Sequence, residues 1–137
     1  MLEFILFEVL GRPQPQGSIQ SFRLADGRPV ITSDNKDLKP WRQAAGWMAK
    51  HAMQGKHMLP RTEPVSIHVE FYLRPPKSLP KRIAYHLTKP DLDKMLRACL
   101  DAMTGIVFTD DSQVFKASVE KHYGLPERTE IIVEVLE

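Results

Sequence analysis

Val65 to Leu73 alternates over nine residues, and no other stretch of the 137-residue chain restricts the fold as tightly. Val65, Ile67, Val69, Phe71 and Leu73 fall on one side, and Ser66, His68, Glu70 and Tyr72 on the other. Successive side chains of an extended chain point to opposite faces. A period of two therefore specifies a strand in a sheet with one apolar and one wetter face. Pro75, Pro76 and Pro80 follow closely. Proline offers no ladder donor, so the strand cannot continue, and residues 74–90 read as a mobile basic loop.

The rest of the pattern predicts one small α+β domain over residues 1–137, with a mixed or antiparallel sheet and two main helices. Leu2 to Leu10 reads as the first strand, and its near-continuous apolarity predicts cover on both faces. A breaker-rich loop, Gly11 to Gly17, leads to a hairpin over Ser18 to Thr32, turning at Ala25-Asp26-Gly27-Arg28. Ser33, Asp34 or Asp37 caps a helix running to about Gln54, with Pro40 in or near its first turn. Leu38, Trp41, Ala45, Met48 and Ala52 form its apolar stripe, and Trp41 and Trp47 are expected to pack. The second helix spans roughly Leu92 to Thr104. Leu92, Met95, Leu96, Cys99, Leu100 and Met103 give its buried stripe, and Gly105 is placed to end it in the left-handed conformation. Ile106 to Thr109 reads as a short strand, Ser112 to Tyr123 as an extended segment, and Thr129 to Leu136 as the strand that closes the sheet.

Composition removes several function classes. Cys99 is the only cysteine, which excludes an intrachain disulfide and argues against a cysteine-based zinc site. Its place on the apolar helix stripe makes it a core residue rather than a nucleophile. The N-terminal apolar run carries Glu3 and Glu8 and is too short and too charged for a signal or membrane span, so a cytoplasmic protein is expected. No phosphate-binding loop, dinucleotide fingerprint or serine-hydrolase elbow is present, so no nucleotide cofactor is expected. The five histidines have no metal-ligand spacing with one another.

Charge is distributed unevenly. Residues 1–90 carry fourteen basic and seven acidic side chains, and residues 91–137 carry five basic and ten acidic. The loop contributes Arg74, Lys77, Lys81, Arg82 and Lys89 with no acid among them. The first acids after it are Asp91 and Asp93, and Asp110-Asp111 follows the second helix. Asp91 and Asp93 straddle a coil-to-helix junction, where both can turn to one cation, or either can simply cap the helix. Asp110-Asp111 suits a turn, and adjacent extended residues point apart, so one of the two is expected at a shared site. If the helix-to-strand unit folds back, it brings three carboxylates around one ion. Carboxylate and water oxygens suit Mg²⁺, with Mn²⁺ as a substitute. Such an ion beside a basic surface suits hydrolysis of a phosphate backbone. Lys94 and Arg97 are candidate cations for the phosphate, although Asp101 lies one helical turn beyond Arg97 and offers it a surface pair.

The stretch KPDLDKMLRACLDAMTGIVFTDDSQV, residues 89–114, resembles the RusA family of Holliday junction resolvases. The shared pattern is a basic Pro-Asp-x-Asp, an amphipathic helix ending in Leu-Asp-Ala-Leu, a glycine, and Asp-Asp-x-Gln-Val; the helix end here, Leu100-Asp101-Ala102-Met103, is a mild variant. Weaker likeness runs through PQPQGS at 13–18, RPPKS at 74–78 and KASVEKHYG at 116–124. The resemblance implies a homodimeric, Mg²⁺-dependent α+β endonuclease that cuts branched DNA at four-way junctions by paired symmetric nicks. It implies that Asp91, Asp93 and Asp111 are the metal ligands. It also implies that Arg97 stands where the family carries an essential lysine, a change that keeps the charge but alters the donor geometry.

Overall fold

The computed structural model describes residues 3–17, 19–33 and 35–136. Leu2, Ser18 and Asp34, assigned above to a strand, a hairpin and a helix cap, lie outside these residues. In chain order the elements are β1 (Glu3–Leu10), β2 (Ile19–Arg23), β3 (Pro29–Ser33), α1 (Leu38–Met53), β4 (Val65–Leu73), α2 (Leu92–Met103), β5 (Val114–Tyr123) and β6 (Arg128–Val135). A 3₁₀ turn, Asp111–Gln113, precedes β5.

The alternating segment is β4, with neighbours on both flanks. The main sheet has the order β1-β6-β4-β5, with β5 parallel to β4 and the other pairs antiparallel. The hairpin β2–β3 forms a separate two-stranded sheet. Ile5, Phe7 and Val9 of β1, the odd-numbered residues of β4, and Ile131, Val133 and Val135 of β6 share one face. They join the buried sides of α1 and α2 in a single core. The opposite face of the sheet stays open.

Four expectations are corrected. First, β1 is covered on one face only: Leu6 is 62% and Leu10 68% exposed, because α1 packs on the side of Ile5, Phe7 and Val9 and no layer lies over the other. Second, the buried stripe of α1 is Leu38, Trp41, Ala45, Gly46, Ala49 and Met53. Met48 faces outward, Ala52 is half-buried, and Trp47 is 72% exposed rather than packed. Third, Ile106 to Thr109 is a tight reversal. Phe108 bridges to Thr104 and Leu59, Gly105 takes φ +84°, and the turn leaves no room for a strand. Fourth, β6 does not close an edge; it inserts between β1 and β4.

The parallel pair governs the site. Parallel strands need a crossover, here provided by α2, so the helix runs back against the direction of β4 and β5. Its N-terminus lies at the ends of those strands, where Lys121 Nζ donates to the carbonyls of Thr88 and Pro90 at 2.7 and 3.1 Å. Its C-terminus lies at their beginnings, where Phe108 bridges to Leu59 and Gln113 Nε2 donates to Pro60 O and Glu63 O at 2.9 Å.

Candidate active site

Asp91 occupies the N-cap position of α2 with an extended backbone, yet its side chain makes no capping hydrogen bond. The carboxylate is exposed and points to a cleft of about 500 Å³ that also takes in Arg12, Gln16, Asn35, Lys89 and Lys94. Lys94 Nζ stands 4.0 Å from Asp91 Oδ2. Asp93 sits in the first turn, exposed, with no ion pair to a described residue. Both carboxylates therefore lie where the helix N-terminus favours negative charge, by roughly 0.3–1 kcal/mol each. The floor of the cleft is pinned by Gln16 N–H donating to Lys94 O at 2.9 Å. Gln16 Oε1 is buried and accepts no hydrogen bond from the described residues. An orphaned amide oxygen in the same cleft as the Asp91 carboxylate, with Asp93 two residues on, offers oxygen donors of the kind a hard divalent cation such as Mg²⁺ takes.

Asp110 and Asp111 divide their roles. Asp110 accepts from the N–H and hydroxyl of Ser112, and Gln113 Oε1 accepts from Asp110 N–H, which makes a complete capping box. Those bonds to Ser112 hold the Asp110 carboxyl below its ordinary range. Asp110 is thus a structural cap. The Asp111 carboxylate is half-buried and makes no hydrogen bond or ion pair to the described residues.

The two acidic clusters do not meet within one chain. They lie towards opposite ends of α2, a twelve-residue helix about 18 Å long. The expected fold-back fails because the chain leaves the C-terminal end of α2 through a tight turn and enters β5 at once. Asp111 therefore stays at the pole opposite Asp91 and Asp93.

The proposed cations fall into two groups. Arg74, Lys77, Lys81, Arg82 and Lys89 are all exposed, along an irregular segment leading into the Asp91 cleft. His86 anchors that segment: it is buried against the Tyr123 ring, with centroids 4.6 Å apart. Burial, then the nearby Lys121 charge, lowers its pKa below the ordinary value. Arg97 is exposed on the outer face of α2, and its Nε lies 3.5 Å from Asp101 Oδ1. The surface pair anticipated from the sequence thus forms. Burial pushes the Cys99 thiol well above its ordinary range, consistent with a core residue.

Residues 11–134 match the family described as Endodeoxyribonuclease RusA. The chain belongs to the RusA family. It is also 30% identical to the Uncharacterized protein YqaN of Bacillus subtilis (strain 168) over 146 aligned positions, covering 96% of each chain. As a RusA-family member it falls among DNA-cutting endonucleases, with a small domain of one mixed sheet and two helices. No helix among the described residues is long and apolar enough to cross a membrane.

Three features of this RusA-family chain were not singled out from sequence. Gln16 reaches the Asp91 cleft from a loop 75 positions away, which no local pattern reveals. Lys121 is a strand residue whose ammonium holds the loop carbonyls beside Asp91. The third is a cluster of His68, Glu70 and Glu120 with ligand atoms within 4.8 Å of one another. His68-x-Glu70 and Glu120-x-His122 were the available signal, since residues two apart on a strand share a face. Their meeting depends on strand register, which the sequence does not display.

Proposed function

We propose that this protein is a metal-dependent structure-selective endonuclease that resolves four-way (Holliday) DNA junctions by paired nicks, in recombination and repair, as a homodimer. The observation that carries this reading is the uncapped Asp91 beside Asp93, at a helix N-terminus in a cleft bordered by Arg12, Lys89 and Lys94. A carboxylate that caps nothing and faces a basic cleft suits a ligand, not a fold. Asp91 and Asp93 hold Mg²⁺, or Mn²⁺ in its place, with Gln16 Oε1 as a further oxygen. When bound, the ion supplies an activated water and offsets charge on the scissile phosphate. Lys94 and Arg97 hold the phosphate oxygens, and Arg74, Lys77, Lys81, Arg82 and Lys89 grip the flanking backbone.

Asp111 completes the ligand set from a second copy of the chain. Ligands of one ion stand about 2.0–2.1 Å from it, whereas Asp111 lies at the far end of its own α2. A two-fold dimer that carries the Asp111 end of each subunit to the Asp91 end of the other produces two equivalent sites. Two-fold symmetry also matches a four-way junction, in which two opposed strands are cut. The exposed edge strand β1, with Phe4, Leu6 and Leu10 on its outer face, and the loop after it are our candidates for the contact.

The test is cleavage of a mobile four-way junction, mapped at nucleotide resolution with and without Mg²⁺. Asp93→Asn should abolish cleavage while the protein still shifts the junction in a gel. Cleavage by Asp93→Asn at the wild-type rate removes the assignment. Preferential cutting of flap DNA by the wild type redirects it to another branched substrate. Binding without product at any Mg²⁺ or Mn²⁺ concentration leaves a branched-DNA-binding protein.

A further inference from the structure

The open face of the sheet carries charges in an unusual order. Strand register places Glu8 opposite Glu130, Glu130 opposite Glu70, and Glu70 opposite Glu120. Four glutamates thus cross all four strands in one transverse row, all pointing away from the helices. Like charges directly opposite one another destabilise a sheet. Arg128 relieves one of them, with Nε 2.8 Å from Glu130 Oε2. Glu70 and Glu120 have no lysine or arginine partner among the described residues. Their neighbours are two imidazoles.

His68 precedes Glu70 by two residues on β4, and His122 follows Glu120 by two on β5, so all four side chains share the open face. His68 Nε2 lies 3.6 Å from Glu70 Oε2 and 3.7 Å from Glu120 Oε2. His122 Nε2 lies 3.3 Å from Glu70 Oε1 and 3.8 Å from Glu120 Oε1. Each imidazole therefore faces one oxygen of each glutamate. His122 Nε2 is buried and makes no hydrogen bond to the described residues. At 3.3–3.8 Å these nitrogen-to-oxygen contacts are longer than ordinary hydrogen bonds. An imidazole N–H turned to the carboxylates, or a cation seated between them, supplies the missing partner.

The spacing favours a cation. Ligands at about 2.0–2.2 Å in a tetrahedron stand roughly 3.3–3.6 Å apart, close to the nitrogen-to-oxygen distances here. Imidazole with carboxylate selects a transition-metal dication over Mg²⁺, which prefers oxygen throughout. We infer that His68, Glu70 and Glu120, with His122 beside them, form a second metal site for a Zn²⁺-type ion, on the open sheet face and separate from the Asp91–Asp93 cleft. The ion neutralises the glutamate pair and ties the edge strand β5 to β4. The inference goes beyond the proposed nuclease reading and does not depend on it.

The experiment strips the full chain with a chelator and titrates Zn²⁺ against a chromophoric competitor. In parallel, the imidazole ¹⁵N resonances of His68 and His122 are followed by NMR. The wild type should take up Zn²⁺ with a shift of the His68 Nε2 resonance and a rise in melting temperature. Glu120→Gln, nearly isosteric, should weaken uptake at least tenfold and abolish the rise. His68→Gln should do the same. The double variant Asp91→Asn/Asp93→Asn should keep the uptake, whatever becomes of its cleavage activity. The proposal is overturned if Zn²⁺ leaves both imidazoles unshifted in the wild type. It is equally overturned if uptake survives Glu120→Gln and His68→Gln, or disappears only in the Asp91/Asp93 variant. The NMR reading on the wild type stands even if a variant fails to fold.

Discussion

A mixed dimer tests the division of the acids most directly. One chain carries Asp93→Asn and the other Asp111→Asn, each with its own affinity tag, and the heterodimer is isolated after co-expression. The geometry sets the expectation. The clusters lie towards opposite ends of α2, a helix about 18 Å long, and no rotamer of an aspartate spans such a gap. Suppose each site takes Asp91 and Asp93 from one chain and Asp111 from the other. The mixed dimer then holds one site with both substitutions and one with none. If instead each site is built within one chain, both sites are damaged. The composite arrangement predicts about half the wild-type number of active sites per dimer, where each parent homodimer has none. It also predicts the product: a single nick in the junction, because the second, opposed cut has no working site. The assay is a denaturing gel that scores each strand of the junction, with native gels to follow resolution. A mixed dimer as inactive as its parents would refute the shared site. An active Asp111→Asn homodimer would refute Asp111 as a ligand altogether, and a monomeric wild type would remove the premise.

Two further predictions concern the basic loop. Lys81→Gln/Arg82→Gln should weaken junction binding and lower the slope of log affinity against log salt by roughly 0.9 for each phosphate no longer neutralised; an unchanged slope would mean that these side chains do not meet phosphate. His86 has its pKa lowered from the ordinary 6.5 by burial, so its unfolded form takes up a proton first as pH falls. Stability from His86 is fully present above about pH 6.5 and is lost as pH drops towards the lower folded value. His86→Gln should therefore flatten the fall of melting temperature with pH below 6.5, as followed by circular dichroism; an identical pH profile would show that the buried ring does not titrate with folding.

Local pattern was enough where the interactions are local. The alternation of Val65–Leu73 corresponds to β4, the 25–28 turn to the hairpin, and Gly105 to a left-handed residue after α2, because each depends on neighbouring residues. The division of Asp110 from Asp111 does not follow from local pattern: the sequence allows one of the two at a site, the resemblance points to Asp111, and the structure shows Asp110 closing the capping box. Patterns that rest on partners were misread. Leu6 and Leu10 read as buried because they are apolar, yet their burial depends on whether a second layer exists beyond β1.

The sequence by itself determined both helices and the main strands, the basic loop, the acidic motif and the family, though not the reversal at residues 106–109. Those are written in residue type and spacing along the chain. Only the tertiary structure decided what the acids can reach. The parallel pairing of β4 with β5 forces α2 to run the length of the sheet, and that separates Asp111 from Asp91 and Asp93. The same register, invisible in one dimension, brings Glu70 against Glu120 and two histidines to their oxygens. Strand register couples residues about fifty positions apart through backbone hydrogen bonds that carry no side-chain signature.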